Sequence, residues 1–363
     1  MVMPKIEETI VKEIEEQRPS IPAGLLSRRE KDTLIERSVR GLYRWYTSRS
    51  QANRNWHPDS FNWRDLRTNH TPELNSIIEG FFAVEQYAPD YASKITHLMR
   101  KSYGRAQFQL RWGAEEEKHS DMWLNTMLFM RFRTPKWIND YMHFLRNGEW
   151  QLPWDDSLHM AFYVVIQERA TQINYLNLAV IAKSNGVKPG FTDAIDPVLV
   201  DVSQTIARDE AAHYNFFLEI ARLYLYYYPA QTIEALHDVI NHFAMPVLDL
   251  LPDGAKFSEE LYRSAIYGPR DYARDVLQVA LKNLGIANRK AVENGVRRSR
   301  QAPDPDGNMR DTAIFDALDY EAVEVSVKRL FSRVNKYEEE FGLAEIDPIQ
   351  FVPSGLAGNG VKT

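Results

Sequence analysis

Two stretches of this chain carry the same local pattern. "AEEEKHS" (114–120) and "RDEAAHY" (208–214) each set a glutamate three positions before a histidine, inside segments whose apolar residues recur at helical spacing. On a helix, residues i and i+3 share a face, so Glu116 with His119, and Glu210 with His213, each offer an oxygen and a nitrogen to a common point. One such pair is a weak signal, since a chain with 50 acidic residues and nine histidines produces it by chance as a surface pattern. Two pairs on two long helices ask what the rest of the chain could bring to them.

Helical periodicity dominates throughout. Helices are expected over roughly 4–16, 29–49, 72–102, 105–131, 135–145, 156–184, 195–227, 230–245, 270–283 and 311–341. "AFYVVI" (161–166) has strand character, but it runs into "QERATQINYLNLAVIAK", where helical spacing wins. Pro89 should kink its helix or open an irregularity one turn past Glu85. The stretch 285–310, poor in apolar residues and rich in Arg, Asn, Gly and Pro, reads as a basic linker or loop. Arg297, Arg298 and Arg300 in it read as a solvated run, suited if functional to an acidic or phosphate-bearing partner.

The helices 72–102 and 156–184 each hold one buried-looking acid, Glu85 in "FFAVEQYAPDY" and Glu168 in "VVIQERATQIN". The chain order is thus Glu, Glu-x-x-His, Glu, Glu-x-x-His, each on its own helix. Four carboxylates and two imidazoles converging in a four-helix bundle are the ligand set of a di-iron or di-manganese centre. The hard donors suit iron or manganese and argue against copper or structural zinc. Two divalent cations would also cancel four negative charges that an apolar interior could not otherwise hold. The i,i+3 rule selects Glu116 from the run 115–117, leaving Glu115 and Glu117 off the metal face, either solvated or supporting the ligands from behind. Asp209, and with less reason Asp121, could accept the far N–H of a ligand histidine. Thr171, one turn past Glu168, is placed either to donate into the site as a catalytic hydroxyl or to back-bond to its own helix. Trp56 reads as an anchor of the loop on the bundle, or as an electron relay. Phe82, Leu110, Met127 and Ile166 are candidates either to line a substrate tunnel or to fill the core.

Composition narrows the chemistry further. With no cysteine, thiolate ligands, disulfides and cysteine-ligated iron–sulfur clusters are excluded. A net charge of −6 argues against broad nucleic-acid binding. No window reaches the roughly 18 uninterrupted apolar residues of a membrane span, and the acidic amphipathic N-terminus does not read as a signal peptide, so the cytoplasm is the expected compartment.

Over roughly residues 30–284 the sequence resembles the soluble acyl-carrier-protein desaturases, a ferritin-like di-iron family. The likeness rests on "NWHPDSF" (55–61), "VEQYAPDY" (84–91), "RWGAEEEKH" (111–119), "QERAT" (167–171) and "IARDEAAH" (206–213). It implies an all-α, ferritin-like four-helix bundle with additional flanking helices. It also implies two irons held by Glu85, Glu116, His119, Glu168, Glu210 and His213, with Thr171 beside the oxygen-activating face. Trp56, Asp209 and His119 would carry electrons from a ferredoxin-type donor. The expected organisation is an N-terminal helical extension (1–28), a di-iron bundle domain (29–284), the basic loop (285–310), a C-terminal helix packed on the bundle (311–342) and a tail (343–363).

The implied activity is O2-dependent desaturation of an acyl chain thioesterified to acyl carrier protein, by a homodimer using two external electrons. Gln86, Glu117-Lys118 and Ala211-Ala212 depart from the family's usual polar residues without touching the ligands. The alternative is a di-iron hydroxylase or N-oxygenase acting on a carrier-bound or free small molecule. Two further readings are weaker. A ribonucleotide reductase radical subunit needs a tyrosine where Trp123 stands, and iron storage does not need a chain this long.

Overall fold

The computed structural model describes residues 26–184, 191, 193–299 and 318–343, and everything below concerns these. The expected helix 4–16, the start of the last helix and nearly all of the tail lie outside them.

Proline and short polar caps fix where the helices begin. Thr71, Thr134, Asp156 and Asp196 stand in extended conformation and accept backbone N–H groups of the first turn, and Pro72, Pro135 and Pro197 follow three of them. The helices are α1 (Arg28–Trp45), α2 (Pro72–Glu85), α3 (Ala88–Met99), α4 (Tyr103–Met130), α5 (Pro135–Leu145), α6 (Ser157–Lys183), α7 (Pro197–Tyr227) and α8 (Pro229–His242). After them come α9 (Gly254–Arg263), the composite α10 (Pro269–Asp271, Tyr272–Leu277 and Gln278–Asn283, with a π-helical middle), α11 (Arg289–Ser299) and α12 (Tyr320–Glu340). Among the described residues the only β feature is an isolated bridge between Ile286 and Leu318. The protein is all-α.

The core is a ferritin-like bundle of α2, α4, α6 and α7. The last two, 27 and 31 residues long, pack along one another for about 40 Å. Outside it, α1 and α3 lie on α4, α9 lies on α2, and α12 lies on α7 and α1. Two glycines let α4 approach its neighbours. A Cβ on Gly104 would stand 2.7 Å from the α1 backbone, and one on Gly113 2.7 Å from the Ala92 side chain of α3. Among the described residues no helix is long and apolar enough to cross a membrane.

The structure revises the sequence reading in three places. The expected helix 72–102 is two helices: α2 stops at Glu85, and α3 restarts at Ala88 with Pro89 in its first turn, where a missing N–H costs nothing. The stretch read as a basic loop forms α11 over Arg289–Ser299. Val292 and Val296, one turn apart, are both buried and give an otherwise polar segment an apolar stripe. Arg297 is exposed, while Arg300 and the side chain of Arg298 fall outside the described residues. The helix α9 was not expected at all; only Phe257 and Leu261, a turn apart, mark its buried side.

Candidate metal centre

The six expected ligands meet inside the bundle. Ligand atoms of Glu85, Glu116, His119 and Glu210 lie within 4.8 Å of one another, as do those of Glu116, Glu168, Glu210 and His213. Glu116 and Glu210 belong to both groups, and their two oxygens face opposite ways. Glu116 Oε2 is 3.2 Å from His119 Nδ1 and its Oε1 3.0 Å from His213 Nδ1; Glu210 Oε1 is 3.4 Å from His119 Nδ1 and its Oε2 3.9 Å from His213 Nδ1. Glu116 and Glu210 would therefore be the residues shared by two ions, with Glu85 and His119 on one side and Glu168 and His213 on the other. Glu85 ends α2, whereas the other five come from the middles of α4, α6 and α7.

Whether this set fits two cations can be tested on the buried atoms themselves. Glu116 Oε1, Glu168 Oε2, both Glu210 oxygens and His213 Nδ1 are inaccessible to solvent and, though they crowd one another, none makes a well-directed hydrogen bond in the protein. Native interiors rarely leave such atoms open, and here they converge on one point. Burial, then the neighbouring Glu116, pushes the Glu85 carboxyl up to about 8; burial and Glu210 push Glu168 well above the carboxylate range. His119 is raised despite its burial, chiefly by the Glu116 carboxylate. Without cations, protons must carry the positive charge. The donor set therefore fits a pair of metal ions.

A second ring of side chains fixes the first. His119 Nε2 faces Asp209 Oδ2 at 3.4 Å, and His213 Nε2 faces Glu115 Oε2 at 2.8 Å, so both rings turn Nδ1 toward the centre. Asp209 precedes Glu210 on α7 yet serves the histidine of α4. Glu115 precedes Glu116 on α4 yet serves the histidine of α7. Arg54 reaches both carboxylates, pairing with Asp209 and lying 3.2 Å from Glu115 Oε1, while the Tyr46 hydroxyl donates to Glu115 at 2.5 Å. Although burial opposes it, these partners hold Glu115 and Asp209 below the usual carboxylate range.

The two single glutamates are also held, each by an aromatic donor. Trp112 Nε1 donates to Glu168 Oε1 at 2.9 Å, and the Tyr175 hydroxyl donates to Glu85 Oε1.

Of the two places open to Glu115 and Glu117, Glu115 takes the supporting one, buried against a histidine, and Glu117 the solvated one; Asp121, offered as a histidine's partner, is exposed instead. Sequence reasoning missed Tyr46, Arg54, Trp112 and Tyr175. Two of these were findable: Trp112 stands one turn before Glu116, and Tyr175 two turns after Glu168. Trp56 packs against the second ring from the loop after α1. Its Nε1 donates to Asp209 at 2.8 Å and its ring is parallel to that of His119, centroids 6.1 Å apart. Thr171 donates to the Gln167 carbonyl at 3.0 Å, the back-bonded alternative.

A cavity of about 400 Å³ opens on the centre, touching Glu85, Glu116 and Glu210, with Thr171 in its wall. Its other walls are mainly apolar and aromatic. None of Phe82, Leu110, Met127 and Ile166 lines it. Leu110 is exposed, and the other three fill the core.

Residues 72–302, well over half of the chain, match the model of the family described as "Fatty acid desaturase". The chain belongs to this family. Among proteins similar to this desaturase-family chain is stearoyl-[acyl-carrier-protein] 9-desaturase 6, chloroplastic, of Arabidopsis thaliana, 28% identical over 218 residues, covering 56% of this chain and 53% of that protein. The stearoyl-[acyl-carrier-protein] 9-desaturase, chloroplastic, of Olea europaea is 27% identical over 217 residues, with the same coverage. The chain thus spans about half the length of the curated relatives it matches. The X-ray structure of DesA2 from Mycobacterium tuberculosis H37Rv superposes with a TM-score of 0.48 at 16% identity, over 70% of this chain and 95% of that one.

Proposed function

We propose that this chain catalyses O2-dependent desaturation of a fatty acyl chain carried as a thioester on acyl carrier protein. Two hydrogens leave the chain as a double bond forms, and O2, two external electrons and two protons become two waters. The observation that carries this reading is the converging set of Glu85, Glu116, His119, Glu168, Glu210 and His213, opening directly onto an apolar cavity. Alkyl C–H bonds have no useful acidity, so side-chain acids and bases alone could not remove them. Two iron ions, the pair the family likeness implies, with manganese the alternative that the same hard donors also suit, would supply the O2 activation and hydrogen abstraction when bound.

The chain's own residues do the rest. Glu116 and Glu210, common to both ligand groups, would hold the two ions side by side. Asp209 and Glu115 keep both histidines in the tautomer that leaves Nδ1 free, and Arg54 holds these two carboxylates together. Tyr175 and Trp112 each occupy one oxygen of a terminal glutamate and leave the other to a metal. Apolar walls keep water from the reacting carbons. Trp56, hydrogen-bonded to Asp209 and parallel to His119, is the proposed entry for electrons from a ferredoxin-type donor, and a homodimer is the proposed assembly. Thr171, facing the cavity one turn past Glu168, is the proposed catalytic hydroxyl, exchanging its bond to the Gln167 carbonyl for one into the site.

Incubating the iron-loaded protein with a reductant, O2 and acyl carrier protein thioesters should yield a mono-unsaturated chain. A product carrying only a new hydroxyl or N–O group would instead establish the hydroxylase or N-oxygenase alternative, which shares the same centre. The ligand assignment has its own check. Glu168→Gln and His213→Ala should lose iron and turnover, whereas Glu117→Gln should keep both. Equal iron in all three would overturn it.

A further inference from the structure

The cavity beside the centre is not lined as a plain hydrocarbon channel would be. Several of its polar groups are already engaged: the Tyr175 hydroxyl by Glu85, the Thr171 hydroxyl by the Gln167 carbonyl, and the Ser258 hydroxyl by the Gly254 carbonyl at 3.0 Å. Three buried groups away from the carboxylates of the centre are left open. Asn174 is buried, and its Nδ2 donates to the Ala170 carbonyl at 2.9 Å, which fixes the orientation of the amide. Its Oδ1 has no hydrogen-bond partner in the protein. The hydroxyls of Tyr267 and Tyr272 are likewise inaccessible to solvent and without a partner in the protein, and both residues line the same cavity. Tyr272 does not hang loosely: its ring is parallel to Phe243, centroids 5.5 Å apart. A leucine or phenylalanine would fill any of these positions without the cost of an open polar atom, so a channel serving only methylene groups has no use for them.

We infer that the acyl chain taken by this cavity carries a hydrogen-bonding substituent, a hydroxyl or an amide, that docks on Asn174, Tyr267 and Tyr272. This rests on the reading of the cavity as the acyl site and deepens it. Asn174 Oδ1 can only accept, so the substituent brings a donor; a tyrosine hydroxyl donates to the substituent's oxygen. A hydroxyl and an amide both offer that combination, whereas an unsubstituted chain offers neither. The chemistry also sets where the substituent lies. Asn174 is six residues past Glu168 on α6, about 9 Å along the helix axis. The polar group therefore sits several carbons from the carbons that react, and it fixes which of them face the centre.

The test is the binding of pantetheine thioesters to the iron-loaded protein, followed by calorimetry. The probes are an unsubstituted dodecanoyl chain and equally long chains bearing a hydroxyl or an amide at successive positions. At least one substituted chain should bind about tenfold more tightly than dodecanoyl. Tyr272→Phe, which removes only an oxygen, and Asn174→Leu should each narrow that ratio, and together abolish it, with dodecanoyl bound as well as before or better. A substituted series that never exceeds dodecanoyl overturns the inference. So does an unchanged ratio in a Tyr272→Phe protein that melts like the parent. Two irons per chain with no preference would remove this inference alone. A preference that persists in a protein unable to hold iron would sustain it while removing the desaturase reading.

Discussion

Glu115 and Asp209 hold equivalent positions in the two halves of the centre. Each directly precedes a glutamate common to both ligand groups, and each accepts the outer N–H of the histidine carried by the opposite helix. Neither can be replaced by the charge beside it. Glu117 is two residues from Glu115 yet exposed, because neighbouring residues on a helix point about 100° apart. Glu115→Ala should therefore weaken metal binding by about 10- to 100-fold, and Glu117→Ala should leave it unchanged, as read by titration with Fe(II) under anaerobic conditions. Equal losses would mean that the arrangement matters only through its total charge. The two Glu-x-x-His pairs were legible in the sequence because the i,i+3 rule is local to one helix. For Glu115 the sequence left a solvated and a supporting place open, since its partner lies 98 residues away on another helix, and no spacing rule spans that gap.

At the scale of elements, periodicity was readable where it was long. Helices α4, α6 and α7 each run 27 residues or more, and their limits fall within a few positions of those expected. Shorter elements depend on packing that one sequence window does not contain. In α11 two valines turn a string of polar residues into a helix, because both find apolar neighbours: Val292 is fully buried and Val296 nearly so. Val292→Ala should cost about 2 kcal/mol, while Lys290→Ala on the exposed side should stay within about 0.5 kcal/mol. Denaturant midpoints would show the contrast, and equal shifts would return this stretch to a surface loop. The break between α2 and α3 is the opposite case. Pro89 announces it in the sequence. What the sequence does not show is that Gln86, at that break, donates to Ser120 Oγ at 2.8 Å and so ties the end of α2 to α4 beside His119.

For the whole molecule, the buried charge links metal binding to protons. In the metal-free protein Glu85, Glu168 and His119 are all raised, so each keeps its proton to a higher pH than a free carboxyl or imidazole would. Metal ions must displace those protons. Binding should release protons into a weakly buffered solution near pH 7, and affinity should fall as pH is lowered. A pH-independent affinity with no proton release would mean that the carboxylates are already ionised. Bound metal should also raise the melting temperature, because the unfolded chain has no assembled site to offer, and a chelator should reverse the gain. Scanning calorimetry with and without metal tests this, and identical melting curves would count against the centre.

One asymmetry remains in an otherwise matched pair of half-sites. Five of the six candidate ligands are rooted in the interiors of long rods, but Glu85 is the last residue of its helix, with the chain turning away directly after it. A donor at a helix end can withdraw by opening a single turn, something its counterpart Glu168 cannot do. Stripping the protein should thus proceed ion by ion, the one next to Glu85 departing first, and reloading should end at that same door.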